Sequence, residues 1–242
     1  MVTNRRWLPY SSRVALREIA LLTNPTAGKG RGARFRDAAA ARLRSAGLSV
    51  REVEGRDADE ALDLARSTVA EGTDALVVVG GDGMVHIGVQ AVADTGTPLG
   101  LVPAGTGNDV ARYFDVPRKD PVAAAERLLA GTPHTVDLAR SGTKYFVTVL
   151  AAGFDAIVNE RANRMTWPKG QMRYNIATLA ELRTFEPLSY TLELDGETHT
   201  LDAMLVAVGN GPSFGGGLRI TEGAILDDGL LDVVIIKPMS KP

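Results

Sequence analysis

The stretch Val77-Val78-Val79-Gly80-Gly81-Asp82-Gly83-Met84 decides how the rest of the chain is interpreted. Three β-branched residues run directly into a segment with little side-chain bulk, a pattern typical of a buried strand that ends in a tight loop. Glycine tolerates positive φ and lets another molecule approach the backbone closely. Consecutive N–H groups between a strand and a helix suit phosphate oxygens, so the stretch predicts a phosphate-binding loop.

Asp82 stands in the middle of this loop, where a carboxylate beside a phosphate would be repelled. A divalent cation, a ribose or a bound water between the two groups would explain it. The alternative is a tight turn with a surface aspartate. The phosphate interpretation gains support from a second loop of the same character, which follows the next apolar run.

That second loop is Pro103-Ala104-Gly105-Thr106-Gly107-Asn108-Asp109. Asn108 and Asp109 are good helix caps, and a capped helix N-terminus also attracts anions, so both roles can hold together. Two glycine-acid loops at consecutive strand ends predict one nucleotide site.

The composition narrows the class of protein. The chain has 242 residues, 45% of them apolar and 23% charged, as in an ordinary soluble globular protein. A net charge of −2 gives no argument for a nucleic-acid partner, and the lack of cysteine excludes disulfides and favours a reducing compartment. No apolar run approaches the ~18–20 residues that span a bilayer. We therefore expect a cytoplasmic protein whose membrane contact, if any, is peripheral, at the inner membrane face.

Strands and helices alternate in the first half of the chain, which predicts an α/β domain with a Rossmann-like parallel sheet over residues 17–138, after a flexible arm of residues 1–16. The predicted strands are 19–22, 48–53, 75–79, 98–102 and 135–137. The predicted helices are 33–46, 57–71, 85–93, 108–114 and 122–130.

The second half, residues 139–242, is predicted to be a β-rich domain. Its predicted strands are 145–150, 189–194, 199–208 and 230–236, with helical stretches at 154–164 and 171–185. Asp195-Gly196 is typical of a two-residue hairpin turn.

Gly28-Lys29 is not a Walker A motif, because Thr23 stands where that motif needs glycine and Gly30 where it needs Ser or Thr. A plain turn and a glycine-rich turn that still meets phosphate both remain open for this segment.

Seven segments together resemble the diacylglycerol kinase catalytic domain, a family that includes bacterial diacylglycerol kinases and sphingosine kinases. They are Asn24-Pro25-Thr26-Ala27-Gly28-Lys29-Gly30, Gly80-Gly81-Asp82-Gly83, Gly105-Thr106-Gly107-Asn108-Asp109-Val110-Ala111-Arg112, Gly153-Phe154-Asp155-Ala156, Asn210-Gly211, Phe214-Gly215-Gly216-Gly217 and Leu226-Asp227-Asp228-Gly229-Leu230-Leu231-Asp232-Val233.

The resemblance implies an ATP-dependent, magnesium-requiring lipid kinase that converts diacylglycerol to phosphatidate in phospholipid metabolism. It implies an α/β domain like that of NAD kinase and diacylglycerol kinase, a β-sandwich-like domain, and an active cleft between them. Asp82 is the implied catalytic residue. The implied ATP-binding residues are Asn24, Pro25, Gly28, Lys29, Gly30, Gly80, Gly81, Asp82, Gly83, Gly105, Thr106, Asn108 and Asp109, and the implied metal-binding residues are Asp109, Asp137, Asp227 and Asp228.

Two alternatives stay open. One is a kinase of a sphingoid base, of another lipid or of NAD, because the Gly-Gly-Asp-Gly loop alone does not separate these. The other is a nucleotide- or lipid-binding protein without turnover.

Two departures from the family pattern matter. Family members carry Thr or Ser after Gly-Gly-Asp-Gly and a Glu a few residues later, where this chain has Met84 and then Val85-His86-Ile87-Gly88. Family chains also run further and supply the catalytic base there. We therefore expect that the base lies beyond residue 242, that the second domain is incomplete and that this chain turns over poorly.

The expected partner is a membrane lipid, with a homodimer as one option and no nucleic acid. Residues 161–173 mix basic side chains with Met165, Trp167 and Met172, which predicts a lipid-facing lid or a solvated face.

Overall fold

A computed structural model describes residues 16–24, 31–153 and 186–238. Several sequence predictions lie outside these described residues. They are the site residues Pro25, Gly28, Lys29 and Gly30, the arm up to residue 15, the helical stretches 154–164 and 171–185, and the lid at 161–173.

The first half is a parallel sheet covered by helices on both faces. Its strands are β1 (Glu18–Thr23), β2 (Ser49–Glu54), β3 (Ala75–Gly80) and β4 (Leu99–Pro103). Its helices are α1 (Arg31–Ser45), α2 (Ala58–Glu71), α3 (Asp82–Val92), α4 (Asp109–Tyr113) and α5 (Pro121–Ala130). The strands are parallel in the order β2-β1-β3-β4, so the predicted Rossmann-like sheet is confirmed.

The core has two layers because the central strands are buried on both faces. Alternate residues of β1 belong to different clusters, Ile19 and Leu21 with α1 and α5, and Ala20 and Leu22 with α2, α3 and α4. This double burial explains why β1 and β3 are continuous apolar runs instead of alternating ones.

Helix α3 begins at Asp82, three residues earlier than the predicted start at residue 85. The N–H groups of Met84 and Val85 both donate to the carbonyl of Gly81, at 3.0 and 3.1 Å, and so close the first turn. The prediction placed Asp82 and Gly83 in the loop, but both lie in the first turn of the helix.

The second half is built from short antiparallel strands. They are β5 (Ala139–Ser141), β6 (Lys144–Phe146), β7 (Val149–Gly153), β8 (Leu188–Leu194), β9 (Glu197–Ala203), β10 (Leu205–Gly209), β11 (Ser213–Phe214), β12 (Leu218–Arg219) and β13 (Asp232–Ile236). A sheet of order β13-β10-β7 is joined by the ribbons β5-β6, β8-β9 and β11-β12. The β-rich second half is confirmed, and so is the hairpin turn, with positive φ at Asp195 and Gly196.

The predicted strand at 135–137 is wrong. Asp137 pairs with irregular segments instead of a neighbouring strand: its N–H donates to the Leu226 carbonyl at 2.6 Å, and its own carbonyl accepts from Asn210 Nδ2 at 2.9 Å.

Two longer predicted strands are each broken in two. Residues 145–150 are interrupted because the carbonyls of Val147 and Thr148 accept hydrogen bonds from Asn210, at 3.0 and 2.7 Å. Residues 199–208 change partners at Met204, whose N–H donates to the Ile236 carbonyl at 2.8 Å as the chain passes from β9 to β10.

Candidate nucleotide-binding site

The candidate site lies at the carboxyl ends of the parallel strands. The chain leaves β1 for β2 on one side and returns to β3 on the other, which makes the gap between β1 and β3 a topological switch point. Open α/β sheets bind ligands in the crevice outside such a point. Asn24 follows β1 there, and the glycine loops follow β3 and β4.

The two glycine loops touch each other through their backbones. A Cβ atom on Gly105 would collide with the Cα of Gly81 and would lie 2.9 Å from Asn108 Oδ1. A Cβ on Gly107 would collide with Asp82 Oδ2. Glycine is therefore required at 105 and 107 by the packing of one loop on the other, besides any need to admit phosphate.

Asp82 holds the second loop in place. Its Oδ2 accepts the N–H of Asn108 and its Oδ1 accepts the N–H of Asp109, both at 2.8 Å. Two charge-assisted hydrogen bonds to backbone amides explain a carboxylate in this position without any cation.

The sequence predicts that the side chain of Asn108 caps α4. In the structure this side chain makes no capping hydrogen bond to the helix. The residue lies in the left-handed region at φ 56° and ψ 50°, which asparagine tolerates better than most residues. Its side chain instead closes the loop on itself, since Nδ2 donates to the Gly105 carbonyl at 2.9 Å and Oδ1 accepts the Gly105 N–H at 3.1 Å.

Asp109 connects this loop to the second half of the chain. The residue is only 4% exposed. Its Oδ2 accepts the N–H of Gly216 at 2.8 Å, and its Oδ1 accepts from Ser213 Oγ at 3.4 Å. The hairpin of β11 and β12 therefore forms a third wall of the site, beside the loops after β3 and β4.

The Phe214–Gly217 segment carries part of the family resemblance, but neither it nor Ser213 is among the site residues predicted from the sequence. The sequence feature that could have drawn attention to this hairpin is the run Gly215-Gly216-Gly217, because three adjacent glycines indicate a turn with left-handed backbone. Their φ values are +63°, +95° and +106°.

The remaining predicted nucleotide residues differ in exposure. Gly80 ends β3 and is buried, whereas Thr106 and Gly83 are exposed at the mouth of the site. Met84, which replaces the family's hydroxyl residue, is 5% exposed and packs on Gly80 within the core. His86 lies two residues further along α3, where burial and the charge of Lys144 both lower the pKa of its imidazole.

The other predicted metal residues cluster elsewhere. Asp137 Oδ2 accepts the N–H of Gly229 at 2.6 Å, so Asp137 and the turn that carries Asp227 and Asp228 lie together. Asp228 Oδ1 accepts the N–H of Leu230 at 3.0 Å. Within residues 16–24, 31–153 and 186–238, no three acidic or histidine side chains form a group that could hold a metal ion.

The donor set fits magnesium that arrives with a nucleotide. Magnesium is usually bound through one or two carboxylates together with waters and substrate phosphates. Asp82 suits this role because the residue is exposed and each of its oxygens keeps a lone pair after accepting one N–H. The assignment of magnesium to Asp109, Asp137, Asp227 and Asp228 stays a prediction.

A parallel sheet whose strand ends carry interlocking glycine loops defines a nucleotide-binding α/β protein, here joined to a β-rich half. The family model for the diacylglycerol kinase catalytic domain matches residues 18–141. The model for the YegS C-terminal NAD kinase beta sandwich-like domain matches residues 148–242. The chain therefore belongs to the diacylglycerol kinase-like family of lipid kinases, as the resemblance indicated.

Individual relatives agree with this assignment. The chain is 47% identical over 230 residues to a diacylglycerol kinase of Mycobacterium tuberculosis, which covers 93% of this chain and 74% of the relative. It is 31% identical over 207 residues to a probable YegS-like lipid kinase of Chromohalobacter salexigens, covering 82% and 65% of the two chains. The crystal structure of a diacylglycerol kinase from Bacillus anthracis superposes with a TM-score of 0.75 at 25% identity, covering 93% of this chain and 75% of that one.

None of the helices in the described part of the chain is long and apolar enough to cross a bilayer.

Proposed function

We propose that this protein transfers the γ-phosphate of ATP to the free hydroxyl of diacylglycerol, with phosphatidate as the product. The observation that carries the proposal is the meeting of three glycine-containing backbone segments, at Gly81, at Gly105–Gly107 and at Gly216, around the ends of β3 and β4. The 47%-identical relative, which is named a diacylglycerol kinase, supports this acceptor.

Phosphoryl transfer asks mainly for positioning and for neutralisation of charge on the transferred group. Backbone amides supply both at this site, because the amides that precede Met84 at the start of α3 have no acceptor inside the helix. The carboxylate of Asp82 fixes the facing loop through the amides of residues 108 and 109. Asp82 would hold magnesium when it is bound, and the ion would help to neutralise the charge of the phosphates.

Arg112 adds a cation at the same edge of the site. Its Nε donates to the carbonyl of Gly107 at 2.8 Å, which holds the guanidinium beside the second glycine loop. The remaining donors of a guanidinium in this geometry suit phosphate oxygens.

A second candidate function is phosphorylation of another acceptor, either another lipid such as a sphingoid base, or NAD. The 31%-identical relative is named only a probable lipid kinase, and the model that matches residues 148–242 is described by its likeness to NAD kinase. The acceptor is therefore best identified by a panel that includes a soluble nucleotide.

The experiment is a transfer assay with γ-labelled ATP, magnesium and vesicles that contain diacylglycerol, a sphingoid base or neither, together with a parallel reaction on NAD. Product masses identify the acceptor, and we expect labelled phosphatidate. A labelled product from another acceptor would support the second candidate. Nucleotide binding without transfer to any acceptor would instead indicate a binding protein.

The expected partner is a membrane lipid that the protein reaches by peripheral contact from the cytoplasmic side. Co-sedimentation with diacylglycerol vesicles tests this part of the proposal. We expect more protein in the vesicle pellet than with vesicles lacking diacylglycerol, and equal amounts would contradict it.

A homodimer is part of the same proposal, and light scattering at assay concentration tests it.

A further inference from the structure

Asp109 is buried, and both of its carboxylate oxygens accept hydrogen bonds from the β11–β12 hairpin. We infer that Asp109 is a positioning residue that fastens the β11–β12 hairpin to the glycine loop after β4. It thereby holds the hairpin, which forms the side of the cleft that faces the lipid acceptor (the acceptor side), at a fixed distance from the nucleotide. The term acceptor side rests on the proposed function, whereas the fastening itself does not.

The carboxylate of Asp109 faces the hairpin. Its Oδ2 accepts the N–H of Gly216 at 2.8 Å and its Oδ1 accepts from the hydroxyl of Ser213 at 3.4 Å. Each oxygen keeps a lone pair, as in Asp82, but the residue is only 4% exposed whereas Asp82 is exposed. Burial against the hairpin therefore distinguishes Asp109 from the carboxylate that is open to a nucleotide-bound cation.

The hydrogen bonds of Asp109 form a continuous chain from α3 to the hairpin. Asp82, in the first turn of α3, accepts the N–H of Asp109 at 2.8 Å, and the side chain of Asp109 then accepts the N–H of Gly216 at 2.8 Å. One residue therefore links the loop after β3 with the hairpin of the second half, through its main chain on one side and its side chain on the other.

The β11–β12 hairpin packs closely against the second glycine loop. Gly216 has a φ of +95°, and a Cβ placed there would lie 3.4 Å from the Cα of Gly107. A Cβ placed on Gly217 would lie 3.5 Å from Arg112 Nη1. The hairpin thus rests directly on the second glycine loop, and the left-handed backbone turns the Gly216 amide towards Asp109.

The hairpin also carries an exposed apolar side chain of the kind that contacts lipid. Leu218 follows the glycine run and is 59% exposed, so it offers apolar surface next to the cleft. Movement of the hairpin would shift this surface relative to the nucleotide loops, which is why its fastening should affect the reaction.

The test compares Asp109→Asn with Asp109→Ala, using hydrogen exchange of the unliganded protein, the magnesium concentration for half-maximal rate, and kcat and KM for diacylglycerol and ATP. The asparagine keeps an oxygen for the Gly216 N–H and an amide that can donate to Ser213 Oγ. We expect it to retain slow exchange over residues 211–219, an unchanged magnesium midpoint and a rate within about tenfold of wild type. Asp63→Asn and Asp63→Ala, at an exposed position of α2, are the matched controls.

Asp109→Ala removes the acceptor. We expect exchange over residues 211–219 to accelerate by at least about tenfold and kcat/KM for diacylglycerol to fall by a similar factor, with the magnesium midpoint unchanged. Equal damage by both substitutions together with a raised magnesium midpoint would overturn the inference in favour of a metal ligand. Unaltered exchange in Asp109→Ala would overturn it as well.

A second variant covers the case in which Asp109→Ala does not fold. Gly216→Ala leaves the carboxylate in place but strains the hairpin at φ +95°, and Gly47→Ala, at φ +91° with open space around it, is the control for backbone strain alone. We expect Gly216→Ala, and not Gly47→Ala, to accelerate exchange over 211–219 and lower kcat/KM for diacylglycerol. Wild-type exchange and rate in Gly216→Ala would overturn the inference. If wild type phosphorylates no lipid, the proposed acceptor fails, and the exchange data alone still decide the fastening.

Discussion

Most side chains of the candidate site make hydrogen bonds to the backbone of other site residues. Asp82 was predicted for the site from the sequence, but a cation, a ribose or a water was invoked to explain its charge. The two amide hydrogen bonds from Asn108 and Asp109 explain that charge directly. They were not predictable, since they depend on how closely two loops, some 26 residues apart, approach each other.

Contacts between the halves were harder still to foresee. Gly216 lies 107 residues beyond Asp109, and neither a glycine run nor a buried aspartate specifies its partner. The sequence could indicate the residues of each loop separately, whereas their pairing is a property of the packed fold.

Alanine substitutions at two glycines distinguish a glycine that is needed for protein packing from one that is needed for close approach of a phosphate. Gly83→Ala adds a methyl group that meets nothing within 4 Å, in a helical turn where alanine is favoured by about 0.5–1 kcal/mol. We expect unfolding stability to hold or rise while ATP affinity falls, because a phosphate approaching the first turn of α3 would meet the new Cβ. Thermal unfolding and ATP titration measure the two effects, and unchanged ATP affinity would argue against phosphate at this position.

Gly105→Ala is the counterpart in which the protein itself is disturbed. The added Cβ would collide with the Cα of Gly81, and a backbone atom cannot move aside as a flexible side chain can. We expect both stability and ATP affinity to fall in the same two measurements. Wild-type stability in this variant would contradict the close contact of the two loops.

At the scale of the element, the first half was more predictable than the second. Strands β1 and β3 are apolar runs that end in glycine or polar residues, and their helices carry local caps such as Asp57, which accepts the Glu60 N–H at 2.9 Å. Such signals are local in sequence. The breaks in the second half arise from distant contacts: Asn210 bonds to Val147 and Thr148 more than 60 residues away, and Met204 bonds to Ile236.

The start of the sheet offers a pH-dependent test. Asp74, just before β3, accepts the N–H groups of Arg17 and Glu18 at 2.7 and 2.9 Å, and these bonds lower the pKa of its carboxyl, the bond from Glu18 most. Because the folded pKa lies below the unfolded value of 3.8, the ionised group stabilises the fold above pH 3.8, and this contribution is lost as pH falls through the folded pKa.

We expect Asp74→Ala to lower the free energy of unfolding by about 1–2 kcal/mol at pH 7, with the difference from wild type shrinking below pH 3.8. Urea titrations across this pH range measure it, with Asp63→Ala as the exposed control. A difference that stays constant down to the lowest pH would contradict the role of the ionised carboxylate.

At the scale of the whole molecule, Asn210 joins segments from both halves. Its side chain is 1% exposed, and Nδ2 donates to the carbonyls of Asp137 and Val147 at 2.9 and 3.0 Å. Asn210→Ala leaves two part-buried carbonyls without this donor, and we expect it to cost about 2–3 kcal/mol of unfolding free energy. Denaturant unfolding measures the cost, and a loss below about 0.5 kcal/mol would show that the junction does not depend on this side chain.

The account as a whole depends on one reaction at the meeting point of the glycine loops. The most direct measurement is the rate at which wild type and Asp82→Ala form labelled phosphatidate from γ-labelled ATP and diacylglycerol vesicles, with the product identified by mass. The account predicts labelled phosphatidate from wild type and a rate lower by at least about 100-fold in Asp82→Ala, because the loop that Asp82 holds is displaced. Equal rates for the two proteins, or no labelled phosphatidate from wild type, would contradict it.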